Sequence, residues 1–313
     1  MGTPDFAVPS LEALLSSGYE VVGVITAPDK PAGRGQKLSG SAVKNCALKH
    51  GLRLFQPVNL KSNEFQAELA SLNADLFIVV AFRMLPQAVW SMPRLGTFNL
   101  HGSLLPDYRG AAPINWAVMN GETETGVTTF FLRQEIDTGS ILFQERLPIG
   151  PDETAGSVHD RMMRIGATLV VKTVKAIENG DYKTIEQDSL LEGRSPKNAP
   201  KLDRENMRIC WNRSSKTVHD HVRGLSPYPA AYTVLVDDSN GTRIECKILA
   251  TIISESIMSA SPGTLVSDNK QTLEVCTQDG VLKVLELQLS GKQRMQTKQL
   301  LNGFRITPSM RFE

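Results

Sequence analysis

The chain has 313 residues, 41% hydrophobic and 21% charged, which is the balance of a soluble globular protein long enough for about two cores. Lys plus Arg number 34 against 33 Asp plus Glu, and the net charge of +1 excludes a strongly basic nucleic-acid coat or an acidic tail while leaving room for a local basic patch. There is no run of about 18 apolar residues to cross a membrane, and the opening MGTPDFAVPS lacks the pattern of a secretory signal.

The first half alternates helix and strand signals. Leu11, Leu14 and Leu15 follow Pro9 at helical spacing, with Gly18 as a stop. Residues 21–26 (VVGVIT), 74–81 (ADLFIVVA) and 127–132 read as strands. Val158, Met162, Ile165 and Leu169 mark one face of a long helix that ends near Asn179–Gly180. Apolar strands between helices predict an open, Rossmann-like α/β fold with a mostly parallel sheet and helices on both faces. Residues 190–204 are polar, with two prolines and a glycine, and read as a linker. In the His219–Asp220–His221 run the two His point to opposite sides of any regular element, so a solvated or capping role is expected. Strands are predicted at 243–253, 263–266, 272–276 and 281–289, with Asp279–Gly280 as a hairpin turn. This pattern predicts a small β-barrel or sandwich over 205–313, after an α/β domain over 1–189. Cys46, Cys210, Cys246 and Cys276 form no CxxC pair and read as buried free thiols of a reducing cytoplasm, with no metal site.

Chemistry concentrates in 96–116, GTFNLHGSLLPDYRGAAPINW. Asn99 and His101 are two apart on a predicted strand, so their side chains share one face, and the chain then breaks into a loop with Gly102, Pro106 and Gly110. Asp137–Thr138–Gly139 follows another strand, and its carboxylate can orient the imidazole or merely cap the turn. There is no Gly-x-Ser-x-Gly elbow, P-loop or dinucleotide fingerprint. An amide, an imidazole and a carboxylate fit attack by an external amine on a carbonyl carbon. In that chemistry Asn99 and protonated His101 stabilise the oxyanion, and Asp137 supports the His and helps move protons.

The run from Asn99 to Gly110 (NLHGSLLPDYRG), with Asp137-Thr138-Gly139 downstream, closely resembles the 10-formyltetrahydrofolate-dependent formyltransferases. Within that family, GTPDFAVPSLEAL, PDKPAGRGQKLSGSAVK, RGLSPYPAAYT and LQLSGKQRMQTKQLLNG resemble the branch that formylates methionyl-tRNA, and the likeness spans nearly the whole chain. A cytoplasmic monomer is expected, and the resemblance implies an enzyme that moves the formyl group of 10-formyltetrahydrofolate onto the α-amine of methionyl-initiator tRNA. It assigns catalysis to Asn99, His101 and Asp137, and folate contacts to Ser103, Leu104, Leu105 and Pro106, with Met84 and Leu85 on a loop near the pterin. It also implies an oligonucleotide-binding (OB-like) barrel as the second domain. Two positions depart from the family pattern. Met1 stands directly before Gly2, so the family's first sheet strand is expected to be absent, and Phe82–Arg83 stand where Tyr-Gly is common.

Residues 28–49 carry Lys30, Arg34, Lys37, Lys44 and Lys49 against Asp29 alone, with glycines at 33, 35 and 40. By itself such a segment is a solvated loop or a grip for phosphates. The resemblance implies that it holds the tRNA acceptor end, chiefly through Arg34 and Lys37, with Lys292, Arg294 and Lys298 adding phosphate contacts from the second domain. Three readings stay open: the tRNA enzyme; a relative that formylates a UDP-amino sugar or hydrolyses formyltetrahydrofolate; and a non-catalytic nucleic-acid-binding protein, which leaves Asn99, His101 and Asp137 unexplained.

Overall fold

The computed structural model describes residues 1–32 and 37–313, without the side chains of 31, 32, 37 and 38. Two compact units result. One holds residues 1–113, 125–147 and 159–198, and the other holds 114–124, 148–158 and 199–313. Both are discontinuous in sequence, and the polar segment 190–204 is shared between them.

In chain order the elements of the first half are α1 (Val8–Ser16), β1 (Val24–Ile25), β2 (Lys30–Ala32), β3 (Lys37–Ser39), α2 (Ala42–Lys49), β4 (Leu54–Phe55), α3 (Asn63–Ala70), β5 (Phe77–Val80), α4 (Gln87–Trp90), β6 (Thr97–His101), β7 (Arg109–Gly110), α5 (Pro113–Met119), β8 (Glu124–Phe131), β9 (Ile141–Pro148) and α6 (Ala155–Asn179). In the first unit β1 pairs parallel with β4, and a second sheet runs β5-β6-β8-β9. Its β5–β6 pair is parallel, with Phe77 opposite Thr97, and its β6–β8 pair is antiparallel, with His101 opposite Thr128. The predicted open α/β fold is therefore present, with an antiparallel turn at the strand that carries Asn99 and His101. Ile25, Phe55, Phe65, Leu69, Phe77 and Val79 form one apolar core of this unit. Within α6, Gly166 lies on Leu100: a Cβ there would be 2.8 Å from Leu100 Cδ2, so a larger residue would require that side chain to shift.

The first two residues join the strands of this unit. Met1 and Gly2 run between β1 and β5. The Gly2 N–H donates to the Ile25 carbonyl (3.0 Å), and the Val80 N–H donates to the Met1 carbonyl (2.9 Å). The Met1 ammonium donates to the Ile78 carbonyl at 2.7 Å, and burial lowers its pKa to about 5. A cavity of about 620 Å³ opens there, lined by Met1, Leu14, Val22, Phe77 and Ile78 among others. β1 is shorter than the predicted 21–26, and residues 21–23 line the cavity.

The rest of the chain forms β10 (Asn198–Ala199), α7 (Ser215–Leu225), β11 (Ala231–Asp237), β12 (Thr242–Ile253), β13 (Leu265–Ser267), β14 (Leu273–Cys276), β15 (Val281–Leu289), β16 (Met295–Gln296), α8 (Thr297–Leu301) and β17 (Met310–Phe312). The second unit's sheet runs β13-β14-β15-β12-β11-β17, with β16 on β15. It nearly closes into a barrel, because Thr264 bridges Arg311 and the Phe312 N–H donates to the Gly263 carbonyl at 2.8 Å. Inside, Trp211 stacks on Phe312 with ring centroids 5.5 Å apart.

Two expectations need correcting in this unit. His219 and Asp220 are buried in α7 rather than solvated, because Asp220 accepts from Arg223 Nε (2.7 Å) and Lys216 Nζ (2.6 Å). Cys210 is exposed, its thiol donating to Asn212 Oδ1, while the other three cysteines are buried. Burial pushes the Cys246 thiol up to about 12, consistent with an inert core residue.

Gly263 has φ +88°, and a Cβ there would lie 2.2 Å from the Phe312 carbonyl oxygen. Gly263→Ala is expected to break the barrel seam and cost more than about 2 kcal/mol, read as a lower urea midpoint for the second unit.

Candidate active site

Strand periodicity places Asn99 and His101 on one face of β6, with their Cα atoms about 6.6 Å apart. His101 is 6% exposed. Its Nε2 is 2.8 Å from the Tyr108 carbonyl oxygen, which can only accept, so Nε2 carries a proton and donates. Nδ1 is the ring atom left for chemistry. It faces Asp137 Oδ2 at 3.8 Å, too far for a hydrogen bond. The same Oδ2 accepts the Gly110 N–H at 3.0 Å, so the loop after β6 holds both partners of the pair. Phe130 meets the His101 ring edge-on, with centroids 6.4 Å apart. Among the described residues the Asn99 Oδ1 is buried with no hydrogen-bond partner, an arrangement that structures rarely leave unsatisfied away from a binding site.

The loop 103–110 is anchored from below and from the side. The Thr128 hydroxyl on β8 donates to the Ser103 carbonyl (2.6 Å) and accepts the Leu105 N–H (3.1 Å). Gln144 on β9 donates to the Leu105 carbonyl (2.8 Å) and to Thr128 Oγ1 (3.0 Å). Asp107 is gripped by both terminal nitrogens of Arg194 (2.7 and 2.8 Å) and by the Lys197 N–H (2.9 Å). Burial works to raise the Asp107 carboxyl, but the Arg194 guanidinium and the Lys197 N–H outweigh it and hold the pKa below the usual range. The Tyr108 N–H donates to the Lys197 carbonyl at 2.6 Å.

The residues expected to touch folate divide by exposure. Ser103 and Leu105 are buried: the Ser103 hydroxyl donates to the Asp107 carbonyl, and Leu105 packs with Phe130 and Ile141. Pro106 and Leu85 are buried as well, Leu104 is half-buried against Gly126, and Met84 is 70% exposed. Backbone and loop shape, more than side chains, are what 103–106 can offer a ligand. Arg83 donates to the carbonyls of Pro57 and Val58, tying its loop to a neighbouring one.

Among the expected phosphate contacts, Lys30, Lys292 and Lys298 are exposed. Lys44 is paired with Asp29 (2.5 Å), and Arg294 is paired with both carboxylate oxygens of Glu286 (2.5 Å each), so each cation is already held within its own unit. Arg34 and the Lys37 side chain lie outside the described residues. Sequence reasoning missed Thr128, Gln144, Gln187 and Arg194. All four act on backbone or side-chain groups distant in sequence, and none sits in a motif.

A family model described as "Formyl transferase" matches residues 1–174, and one described as "Formyl transferase, C-terminal domain" matches 201–305. A methionyl-tRNA formyltransferase of Bacteroides fragilis is 52% identical over 313 residues, covering 100% of this chain and 96% of the relative. One of Flavobacterium johnsoniae is 52% identical over 304 residues, covering 97% and 94%. Among solved structures, a sugar 3N-formyl transferase crystallised in the presence of dTDP and 5-N-formyl-THF is 21% identical with a TM-score of 0.65, covering 93% of this chain and 97% of that one. An N-formyltransferase from Helicobacter canadensis in complex with folinic acid and dTDP-3-aminofucose is 20% identical with a TM-score of 0.64, covering 94% and 97%. At these identities the likeness to the solved structures is one of fold.

Thr128 is fully buried. Thr128→Val leaves the Ser103 carbonyl and the Leu105 N–H with one partner fewer, at an expected cost of about 1–3 kcal/mol. Chemical unfolding of the variant measures it.

Proposed function

The chain belongs to the formyl transferase family, and from that premise we propose that it transfers the formyl group of 10-formyltetrahydrofolate to the α-amine of methionyl-initiator tRNA. The observation that carries the choice of acceptor is the 52% identity, over the full chain, to relatives named methionyl-tRNA formyltransferase, against about 20% to the sugar enzymes.

The amine attacks the formyl carbon. A C–N bond to the methionyl nitrogen forms, the C–N bond to the folate N10 breaks, and one proton passes from the amine to N10. The tetrahedral intermediate carries an oxyanion. Asn99, on the same face of β6 as His101, supplies an amide N–H to it. The Tyr108 carbonyl occupies the Nε2 proton of His101, so the imidazole acts through Nδ1. Asp137, 3.8 Å from Nδ1, stabilises the imidazolium and takes part in the proton transfer. In an apo arrangement such contacts are commonly long and tighten when substrate binds. The exposed Lys30, Lys292 and Lys298, with Arg34 and Lys37, meet tRNA phosphates. The chain works in the cytoplasm; among the described residues no helix is long and apolar enough to cross a membrane.

The test mixes the protein with 10-formyltetrahydrofolate and charged initiator tRNA, and in parallel with a UDP-amino sugar or with no acceptor. Formyl-methionine on the tRNA is the expected product. Formylation of the sugar alone, or formate release without transfer, contradicts the reading. His101→Ala is expected to lose kcat by more than about 100-fold while the KM for each substrate changes little. A variant with normal kcat makes His101 structural.

A further inference from the structure

We infer that Gln187, with Arg109 behind it, is the positioning residue that holds Asp137 in its working conformation. The inference rests on the reading of Asp137 given under Proposed function. Gln187 opens a short 3-10 helix, Gln187–Leu190, that follows α6, and it is 2% exposed. Its amide nitrogen donates to the carbonyls of Asp137 and Gly139, both at 2.8 Å. Its amide oxygen accepts from Arg109 Nε (2.9 Å) and Nη2 (2.7 Å). A flipped amide would set its NH₂ against the guanidinium and its oxygen against two carbonyls, so the four partners fix the orientation.

The segment it clamps is under strain. Asp137 has φ +55°, a left-handed conformation that a non-glycine residue adopts at a cost. Two residues on, Gly139 lies against the end of β8 so tightly that a Cβ would be 1.6 Å from the Phe131 carbonyl oxygen. A strained turn persists only where its surroundings over-determine it. Here Gln187 caps the carbonyls on either side of Thr138, while the Gly110 N–H holds the Asp137 carboxylate from the other end. Arg109 precedes Gly110 on β7, so one two-residue strand fixes both the carboxylate and the amide that fixes its backbone. Gln187 touches no reacting atom in this scheme and acts through Asp137.

Gln187→Glu is the discriminating variant. It keeps the length and the pairing with Arg109, and it replaces both N–H donors with a carboxylate oxygen facing two carbonyls. Two readouts are taken on the full chain. Hydrogen exchange followed by mass spectrometry is expected to show faster exchange confined to the peptide around 132–141. Steady-state kinetics are expected to show kcat lower by about 10- to 100-fold, as for small misplacements of a catalytic group, with the KM for 10-formyltetrahydrofolate and for Met-tRNA within about twofold. The double variant Asp137→Asn/Gln187→Glu is expected to be no slower than Asp137→Asn alone, because the second change acts through a group already lost. Unchanged exchange, multiplying losses in the double variant, or a KM effect at constant kcat each overturns the inference. If the wild-type chain formylates none of the acceptors, the Proposed function falls, and the exchange readout alone decides the positioning claim. Arg109→Lys keeps the charge but loosens the hold on the Gln187 oxygen. It is expected to give the same pattern at smaller amplitude, and it decides the question if Gln187→Glu does not fold.

Discussion

One hydrogen bond organises the site: the Tyr108 carbonyl on His101 Nε2. A carbonyl cannot donate, so it selects one tautomer and leaves the other nitrogen, Nδ1, facing Asp137. That role requires Tyr108 to stay put, and Tyr108 sits at φ +62° in a loop with no regular structure of its own. The stiffness comes from outside the loop. Thr128 and Gln144 hold its start, Arg194 and Lys197 its middle, and the Gly110 N–H returns it to Asp137. Chemistry placed on a loop is thereby given the rigidity of the β8–β9 scaffold below it.

The same logic accounts for two strained positions of this site. Tyr108 and Asp137 are both left-handed non-glycine residues, and both have their backbone groups bonded, Tyr108 by Lys197 and Asp137 by Gln187. A single unsupported strained residue costs on the order of 1–3 kcal/mol and would relax. Bracing from the segment after α6 keeps the carboxylate and the imidazole facing each other.

Much of this was legible in the sequence and some was not, for reasons that differ by residue. Period-two spacing put Asn99 and His101 on one face, and the motif from 99 to 110 carried the family resemblance. The barrel strands 242–253, 273–276 and 281–289 follow from alternation and the Asp279–Gly280 turn. The Tyr108 carbonyl was not legible, because a backbone acceptor has no residue signature. Gln187 was not legible either, because a polar residue in a polar stretch gives no hint that it is buried 50 positions from its partner. His219 and Asp220 looked solvated because charged residues usually are; Arg223 and Lys216 make the burial of Asp220 tolerable, and Thr251 Oγ1 meets His219 Nδ1 at 3.1 Å. The pairing of Arg294 with Glu286 was hidden for the complementary reason, since a basic cluster in sequence does not reveal a carboxylate on the adjacent strand.

In this structure Nε2 of His101 carries the ring proton and Nδ1 faces Asp137. Nitrogen-15 NMR of the histidine-labelled protein tests it directly, with His101 assigned among the five histidines by the loss of its signals in His101→Gln. The neutral ring is expected to be the Nε2–H tautomer. A neutral Nδ1–H tautomer would contradict it.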